Sequence, residues 1–346
     1  MIYTDIKIEK FRGIRVCELE KLGLVNLFFG KNNCGKSSLL EALFLMSGPS
    51  NPTLPIVLNN MRNLMSFNEE DLKADFYLAD SDSIIHLQSK GEQTRDIRIS
   101  MIESHSKQVA LDQLNQMNSE QAGKRYGFKI NFNIGENGRQ HHTELIVTDD
   151  NTGKASTDAS YKESMYAEYI PSGYMKVGIN DKLAQIIKNK QESEILEALR
   201  IVEPKIKDIQ LVGEKIMVDL GLPIRLPINV LGDGVRKVLS ILISIYNTQN
   251  GVLMVDEIDN GLHYSVMYKL WNVILQTCKK TNTQMFISTH SMDMVKALVA
   301  SFKQTTHTIP QVSAYKLIKK DDDELVALRY SEEQLSYTVE QEMEIR

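Results

Sequence analysis

Leu24-Val25-Asn26-Leu27-Phe28-Phe29-Gly30-Lys31-Asn32-Asn33-Cys34-Gly35-Lys36-Ser37-Ser38-Leu39-Leu40-Glu41-Ala42-Leu43-Phe44-Leu45-Met46 is the stretch that decides the fold. Its apolar opening, Leu24 to Phe29, reads as a buried strand. Ser38 to Met46 reads as a helix that stops at Gly48-Pro49. Between them Gly30 to Ser37 fits G-x-x-x-x-G-K-[ST] in full, in the strand–loop–helix context the motif requires. Each part has a physical reason. Gly30 and Gly35 let the backbone wrap phosphate groups with its N–H groups inward, and the helix N-terminus adds a positive dipole end. Asn32 and Asn33 tolerate tight-turn geometry, and Cys34 reads as a small loop filler. Lys36 is expected to reach the β- and γ-phosphates, and the Ser37 hydroxyl to ligate Mg²⁺.

A second apolar run, Gly251-Val252-Leu253-Met254-Val255, ends in Asp256-Glu257. Buried parallel strands have this character, and a carboxylate at the strand's C-terminal end lies beside the phosphate loop in an open α/β sheet. Asp256 then suits the Mg²⁺ shell through water, and Glu257 suits positioning or deprotonating an attacking water. Ser288-Thr289-His290-Ser291 follows another apolar strand and brings His290 toward the γ-phosphate. Leu231-Gly232-Asp233-Gly234-Val235-Arg236-Lys237 opens a helix whose glycine-flanked start suits an anion, with Asp233 as a candidate N-cap.

Together these segments resemble the ABC-type ATPases of the SMC/RecF class, and within it the ATPase domain of the OLD family and related bacterial AAA-type proteins. Ile8-Glu9-Lys10-Phe11-Arg12-Gly13 is similar to that class's first strand and "FR" motif, Gly30–Ser37 to its Walker A, Leu231–Lys237 to its signature segment, and Asp256-Glu257 to its Walker B. His290 matches the switch histidine, and His263 stands at the D-loop aspartate position of transporter-type enzymes. Ile258 and Tyr264 replace prolines frequent in the class, and Gln88 and Gln185 are the candidates for its Q-loop glutamine. The resemblance covers roughly residues 1–50 and 205–320. It implies an α/β P-loop NTPase fold of the ABC-ATPase head type, a mixed sheet with flanking helices plus an N-terminal antiparallel β subdomain. It implies ATP and Mg²⁺ as cofactors, with Arg12, Asn32, Asn33, Gly35, Lys36, Ser37 and Ser38 at the nucleotide. It implies Ser37 and Asp256 at the metal, Glu257 and His290 as catalytic residues, and Asp233-Gly234 covering the γ-phosphate of an opposing subunit. A homo-oligomer glued by ATP follows.

The two lobes are expected at 1–165 and 166–346. In the first, strands are expected at Tyr3–Glu9, Ser83–Leu87 and Asp96–Met101, and a hairpin at Phe128–Ile134 and Thr143–Val147. Residues 49–75 read as irregular, 103–124 as an exposed helix or mobile insertion, and 150–165 as a linker. In the second, strands are expected at Ala167–Ile170, Val252–Val255, Met285–Ser288, Val312–Ile318 and Leu325–Arg329, and a hairpin over Ile206–Leu220. Helices are expected within Asp181–Val202 and at Val235–Tyr246, Tyr264–Cys278 and Met292–Phe302, with an exposed acidic tail or partner surface over Glu332–Glu344.

Composition narrows the function further. With 346 residues, 42% hydrophobic and 25% charged, the chain has ordinary globular material. The net charge of −5 excludes a strongly basic coat but leaves room for a local basic groove, so nucleic acid stays among the candidate partners. No apolar run approaches the ~18 residues of a membrane span. Three cysteines do not make a disulfide framework, and a cytoplasmic setting is expected. The adjacent His141 and His142 belong on opposite strand faces and do not pair on a metal. Only 56 residues follow His290, too few for a Toprim nuclease domain, and Asp321–Glu324 reads as a hairpin turn. The expectation is therefore an ATPase that regulates a separate effector, a nuclease by resemblance, in bacterial anti-phage defence. The alternative is a RecF-like DNA-binding ATPase of repair.

Overall fold

The computed structural model describes residues 1–64, 69–104, 125–135, 138–148, 153–172, 179–304 and 311–341. Its strands are β1 (Tyr3–Phe11), β2 (Ile14–Leu19), β3 (Val25–Phe29), β4 (Ile85–Gly91), β5 (Arg95–Ser104), β6 (Arg125–Ile134), β7 (Gln140–Thr148), β8 (Gly153–Ser156), β9 (Ala167–Ile170), β10 (Asp208–Val212), β11 (Lys215–Asp219), β12 (Leu226–Pro227), β13 (Val252–Val255), β14 (Gln284–Thr289), β15 (Val312–Lys319) and β16 (Glu324–Tyr330). Its helices are α1 (Lys36–Ser47), α2 (Leu54–Met61), α3 (Glu69–Lys73), α4 (Ile179–Lys188), α5 (Glu192–Val202), α6 (Asp233–Asn247), α7 (Tyr264–Thr281), α8 (Met292–Gln304) and α9 (Glu332–Glu340).

Thirteen strands form one sheet in the order β8-β7-β6-β5-β4-β1-β2-β16-β15-β3-β14-β13-β9. From β8 to β2 every neighbouring pair is antiparallel. From β15 to β9 every neighbouring pair is parallel. The sheet is therefore mixed, and strands from both halves of the chain interleave in it. The hairpin β10–β11 joins β12 in a separate small sheet.

The parallel part is buried on both faces, so its strands read as continuous apolar runs. Alternation sorts their side chains. Phe28, Val252, Met254 and Phe286 pack with Leu39, Leu43 and Met46 of α1. Leu27, Phe29, Leu253, Val255, Met285 and Ile287 face the opposite layer, built from α4 to α8 around Trp271. The amide of Gln284, itself buried, ties the two kinds of sheet together. Its oxygen accepts from Tyr3 N–H at 2.8 Å, and its nitrogen donates to the carbonyls of Tyr3 at 2.7 Å and Gly23 at 2.9 Å.

Three expectations need correction. Residues 49–75 are not irregular throughout, because α2 and α3 lie there; Pro55 sits in the first turn of α2, where its missing N–H costs no helix bond. The span 150–165 contains β8, an exposed edge strand that no apolar alternation announces. The acidic end is not all exposed tail. Ser331 and Gln334 form a reciprocal capping box that starts α9, and Leu335 is buried against the core. The expected insertion at 103–124 falls, from residue 105 on, outside the described residues. Among the described residues, no helix is long and apolar enough to cross a membrane.

Replacing Leu335 by Ala is expected to cost about 2–5 kcal/mol of stability, as for other large-to-small changes in a core. Urea unfolding of the variant checks this, and an unchanged midpoint would show that α9 is not packed.

Candidate nucleotide site

Register places the site. Phe29 of β3 stands opposite Thr289 of β14, and Val255 of β13 stands opposite Ile287. The three parallel strands thus end nearly level, and the segments after them leave from one edge of the sheet. Those segments begin at Gly30, Asp256 and His290.

After β3 the chain turns through Asn33 at φ 61° and Gly35 at φ 103° into α1. At Gly30, φ is 156°, and a Cβ would stand 2.6 Å from the Leu317 carbonyl oxygen, so a side chain has no room. The Lys36 ammonium is buried and folds back over the loop, donating to the carbonyls of Gly30 at 2.9 Å and Lys31 at 2.7 Å. The Leu39 N–H donates to Gly35 O at 2.9 Å, closing the first turn of α1. The preceding amides, of Lys36, Ser37 and Ser38, have no carbonyl four residues back within the helix. Asn32 and Asn33 are exposed at the loop tip, while Ser37 and Ser38 are half-buried. The helix start therefore offers amide donors beside one lysine ammonium, a set that fits a polyphosphate. Cys34 is buried, and burial raises its thiol pKa, in keeping with a filler rather than a nucleophile.

After β13, the Ser288 hydroxyl organises both acids. It donates to Asp256 Oδ1 and accepts from the Glu257 N–H at 2.8 Å. Glu257 has a left-handed backbone at φ 45°, a conformation that costs on the order of 1–3 kcal/mol outside glycine. The Asn260 amide holds its carboxylate at 2.6 Å. Sequence reasoning gave no role to Asp259, yet it joins the acidic turn to the histidine. Thr289 Oγ1 donates to Asp259 Oδ1 at 2.5 Å, and Asp259 Oδ2 lies 3.4 Å from His290 Nδ1. Asp259 is only 6% exposed, whereas His290 is 42% exposed, so the ring is anchored at one nitrogen and open at its other face.

The remaining expected residues lie around this centre. Gly232, not Asp233, caps α6; Asp233 is its first residue and pairs with Arg236. An added Cβ on Gly234 would lie 3.7 Å from Leu262 and 3.8 Å from Val266, so the start of α6 packs beside the turn that follows Glu257. His263 caps α7, accepting from the Ser265 N–H. Gln88 donates to Asp96 on β5, and Gln185 lies on α4. The adjacent His141 and His142 do divide between a buried and an exposed face.

Arg12, in the left-handed turn between β1 and β2, is 7% exposed. Its guanidinium is engaged by Glu41 of α1 at 2.9 Å, Asp75 at 3.0 Å and Asn59 at 3.0 Å. Glu41 also binds Arg62 Nε at 2.7 Å, and Arg62 reaches within 3.5 Å of the Ser38 hydroxyl. Burial acts to lower the Arg62 pKa, but the Glu41 carboxylate outweighs it and the net direction is upward. Asn59, Arg62 and Asp75 fall in the stretch read as irregular, so the sequence offered no sign of this buried charge cluster behind α1.

A phosphate loop, two acids at a parallel strand end and a histidine at the next strand sit on a mixed sheet with the fold of an ABC-type ATPase head. Among solved structures, an SMC head bound to the C-winged helix domain of ScpA aligns with TM-score 0.51 and 11% identity, over 96% of this chain and 98% of that one, which shows the same fold. Residues 25–293 match the family described as "AAA domain, putative AbiEii toxin, Type IV TA system". The chain belongs to that family, and it is an ATPase whose fold is that of an SMC head. A relative from Helicobacter pylori named ATP/GTP phosphatase is 26% identical over 378 aligned positions, covering 98% of each chain. An uncharacterized protein of Methanocaldococcus jannaschii is 60% identical over 45 residues, 13% of this chain and 20% of that protein.

Replacing Ser288 by Ala leaves the Glu257 N–H and Asp256 Oδ1 without their shared partner. It is expected to lower stability by about 1–3 kcal/mol and to reduce ATP hydrolysis as well. Denaturant melts and steady-state phosphate release on the same sample check both effects.

Proposed function

We propose that the chain is an ATP-driven switch: the heads of two copies sandwich nucleotide and separate on hydrolysis. The observation that carries this reading is the convergence of the Gly30, Asp256 and His290 segments at one sheet edge. In this reading Asn32, Asn33, Gly35, Lys36 and Ser38 hold the phosphates through loop amides, the ammonium and hydroxyls. Ser37 and Asp256 would hold Mg²⁺, which would supply neutralisation of the phosphate charge. The Ser288 hydroxyl donates to Asp256 Oδ1 and so fixes the carboxylate that would help hold the metal. Glu257 orients and deprotonates the attacking water, and His290, steadied by Asp259, senses the γ-phosphate. Arg12 acts behind α1 through Glu41, which keeps the helix that carries the loop in place.

Asp233 and Gly234 meet the nucleotide of a second copy. Affinity between heads is then conditional on the γ-phosphate, a two-state device. The switch acts on a separate effector protein, a nuclease in anti-phage defence. Support for a partner comes from the family description, which names a type IV toxin–antitoxin system, and from the SMC head solved with a domain of ScpA.

Glu257→Gln is expected to accumulate as an ATP-bound dimer or larger assembly in Mg²⁺ and ATP, whereas Lys36→Ala stays unassociated. Light scattering coupled to size exclusion reads both. A Glu257→Gln protein that remains monomeric at saturating ATP sinks the head-engagement reading. Tight ATP-dependent binding of duplex DNA by the purified chain alone would favour the repair alternative.

A further inference from the structure

Lys237 has no part in the chemistry above, yet it touches the segment that performs it. It lies one turn into α6 and is buried. Its ammonium leaves the helix toward the turn after β13, donating to the carbonyls of Glu257 at 3.2 Å and Asn260 at 2.5 Å. Burial pulls its pKa down to about 8, against the opposing charges of Asp259 and Glu257. An amine in this position carries a desolvation cost that a methionine or leucine would avoid, so packing does not explain it.

Its two acceptors do explain it. Every polar group of Glu257 is held. Ser288 takes the N–H, Lys237 and the Asn260 N–H take the carbonyl, and the Asn260 amide takes the carboxylate. Lys237 also fixes the carbonyl of Asn260, so one ammonium secures both the residue that carries the carboxylate and the residue that aims it. Gly234 lies one turn earlier on the same helix, packed beside Leu262 and Val266. The start of α6 and the acidic turn are thus linked by a charged strut at one point and by close packing at another.

We propose that Lys237 is a positioning residue for Glu257, a strut that transmits displacement of the α6 N-terminus to the aim of the Glu257 carboxylate. This rests on the proposed function, in which that N-terminus meets the second copy's nucleotide and Glu257 activates water. Engagement of one ATP by α6 would then set the hydrolytic residue of the same subunit's own site, coupling the two sites of the sandwich.

The test uses the full chain with ATP and Mg²⁺. Lys237→Met keeps the stem and removes the donors. It is expected to lower kcat about tenfold or more while KM and the affinity for a fluorescent ATP analogue stay within about threefold. In the Glu257→Gln background the same substitution is expected to add no further loss, because the two residues act as a unit. If the methionine variant does not fold, Lys237→Gln, which keeps a shorter-reaching donor, is read by the same criteria. A kcat within about twofold of wild type, or a full additional loss on top of Glu257→Gln, overturns the strut. Glu257→Gln with wild-type kcat would instead overturn the assignment of Glu257. The two failures are therefore distinguishable.

Discussion

Strands β3, β14 and β13 are adjacent, parallel and buried on both faces, and this arrangement constrains everything else. A strand buried on both faces cannot place polar chemistry along its length, so that chemistry collects where the strand stops. Register makes the stops nearly coincide, with Phe29 opposite Thr289 and Val255 opposite Ile287. The phosphate loop, the acidic turn and the histidine therefore share one edge, although residues more than two hundred positions apart contribute to it. The helical layers on both faces exist to bury those strands, and the Gln284 amide joins the antiparallel part of the sheet to them through Tyr3 and Gly23.

Holding charge at that edge requires partners, and apart from Asn260 in the acidic turn itself they come from a neighbouring strand or helix. Ser288 and Thr289, consecutive on β14 and so pointing to opposite faces, serve Asp256 and Asp259 respectively. The hydroxyl of one steadies the acids at the strand end, and that of the other steadies the aspartate beside His290. Behind the loop, Glu41 takes guanidinium groups from Arg12 and Arg62. That cluster binds α1 to the β1–β2 turn and to α2, so the loop's lysine and serines start from a helix fixed on its far side. A buried cluster of this kind is a poor source of net stability. Its value here is geometric, since the loop must present amides and an ammonium to one point.

Much of this was legible in the chain. The loop motif, the apolar run ending in Asp256-Glu257 and the Ser288–Ser291 segment carry local signatures, because strand burial and tight-turn chemistry act within a few residues. The middle segments at Asp96–Met101, Phe128–Ile134 and Thr143–Val147 were legible as β5, β6 and β7 for the same reason. Signals failed where local chemistry was ambiguous. Pro55 lies in the stretch read as irregular and instead sits in the first turn of α2, the polar Gly153–Ser156 showed no face to bury, and the acids after Ser331 hid a helix whose anchor is the single buried Leu335. Arg12 was legible as a motif residue, but its partners Asn59 and Asp75 come from a stretch with no periodic pattern.

The sequence by itself determined the elements of the site and their chemistry: which loop wraps phosphate, which strand ends in acids, which helix begins with glycines. These depend on backbone freedom, periodicity and side-chain type, all of which are local. Only the tertiary structure decided which side chains support which. The Ser288 hydroxyl shared between Asp256 and Glu257, the Asp259 link to His290 and the Lys237 strut all join segments distant in the chain. Their distances follow from parallel register and helix docking, which the packing of the whole sheet sets and no short stretch of residues encodes.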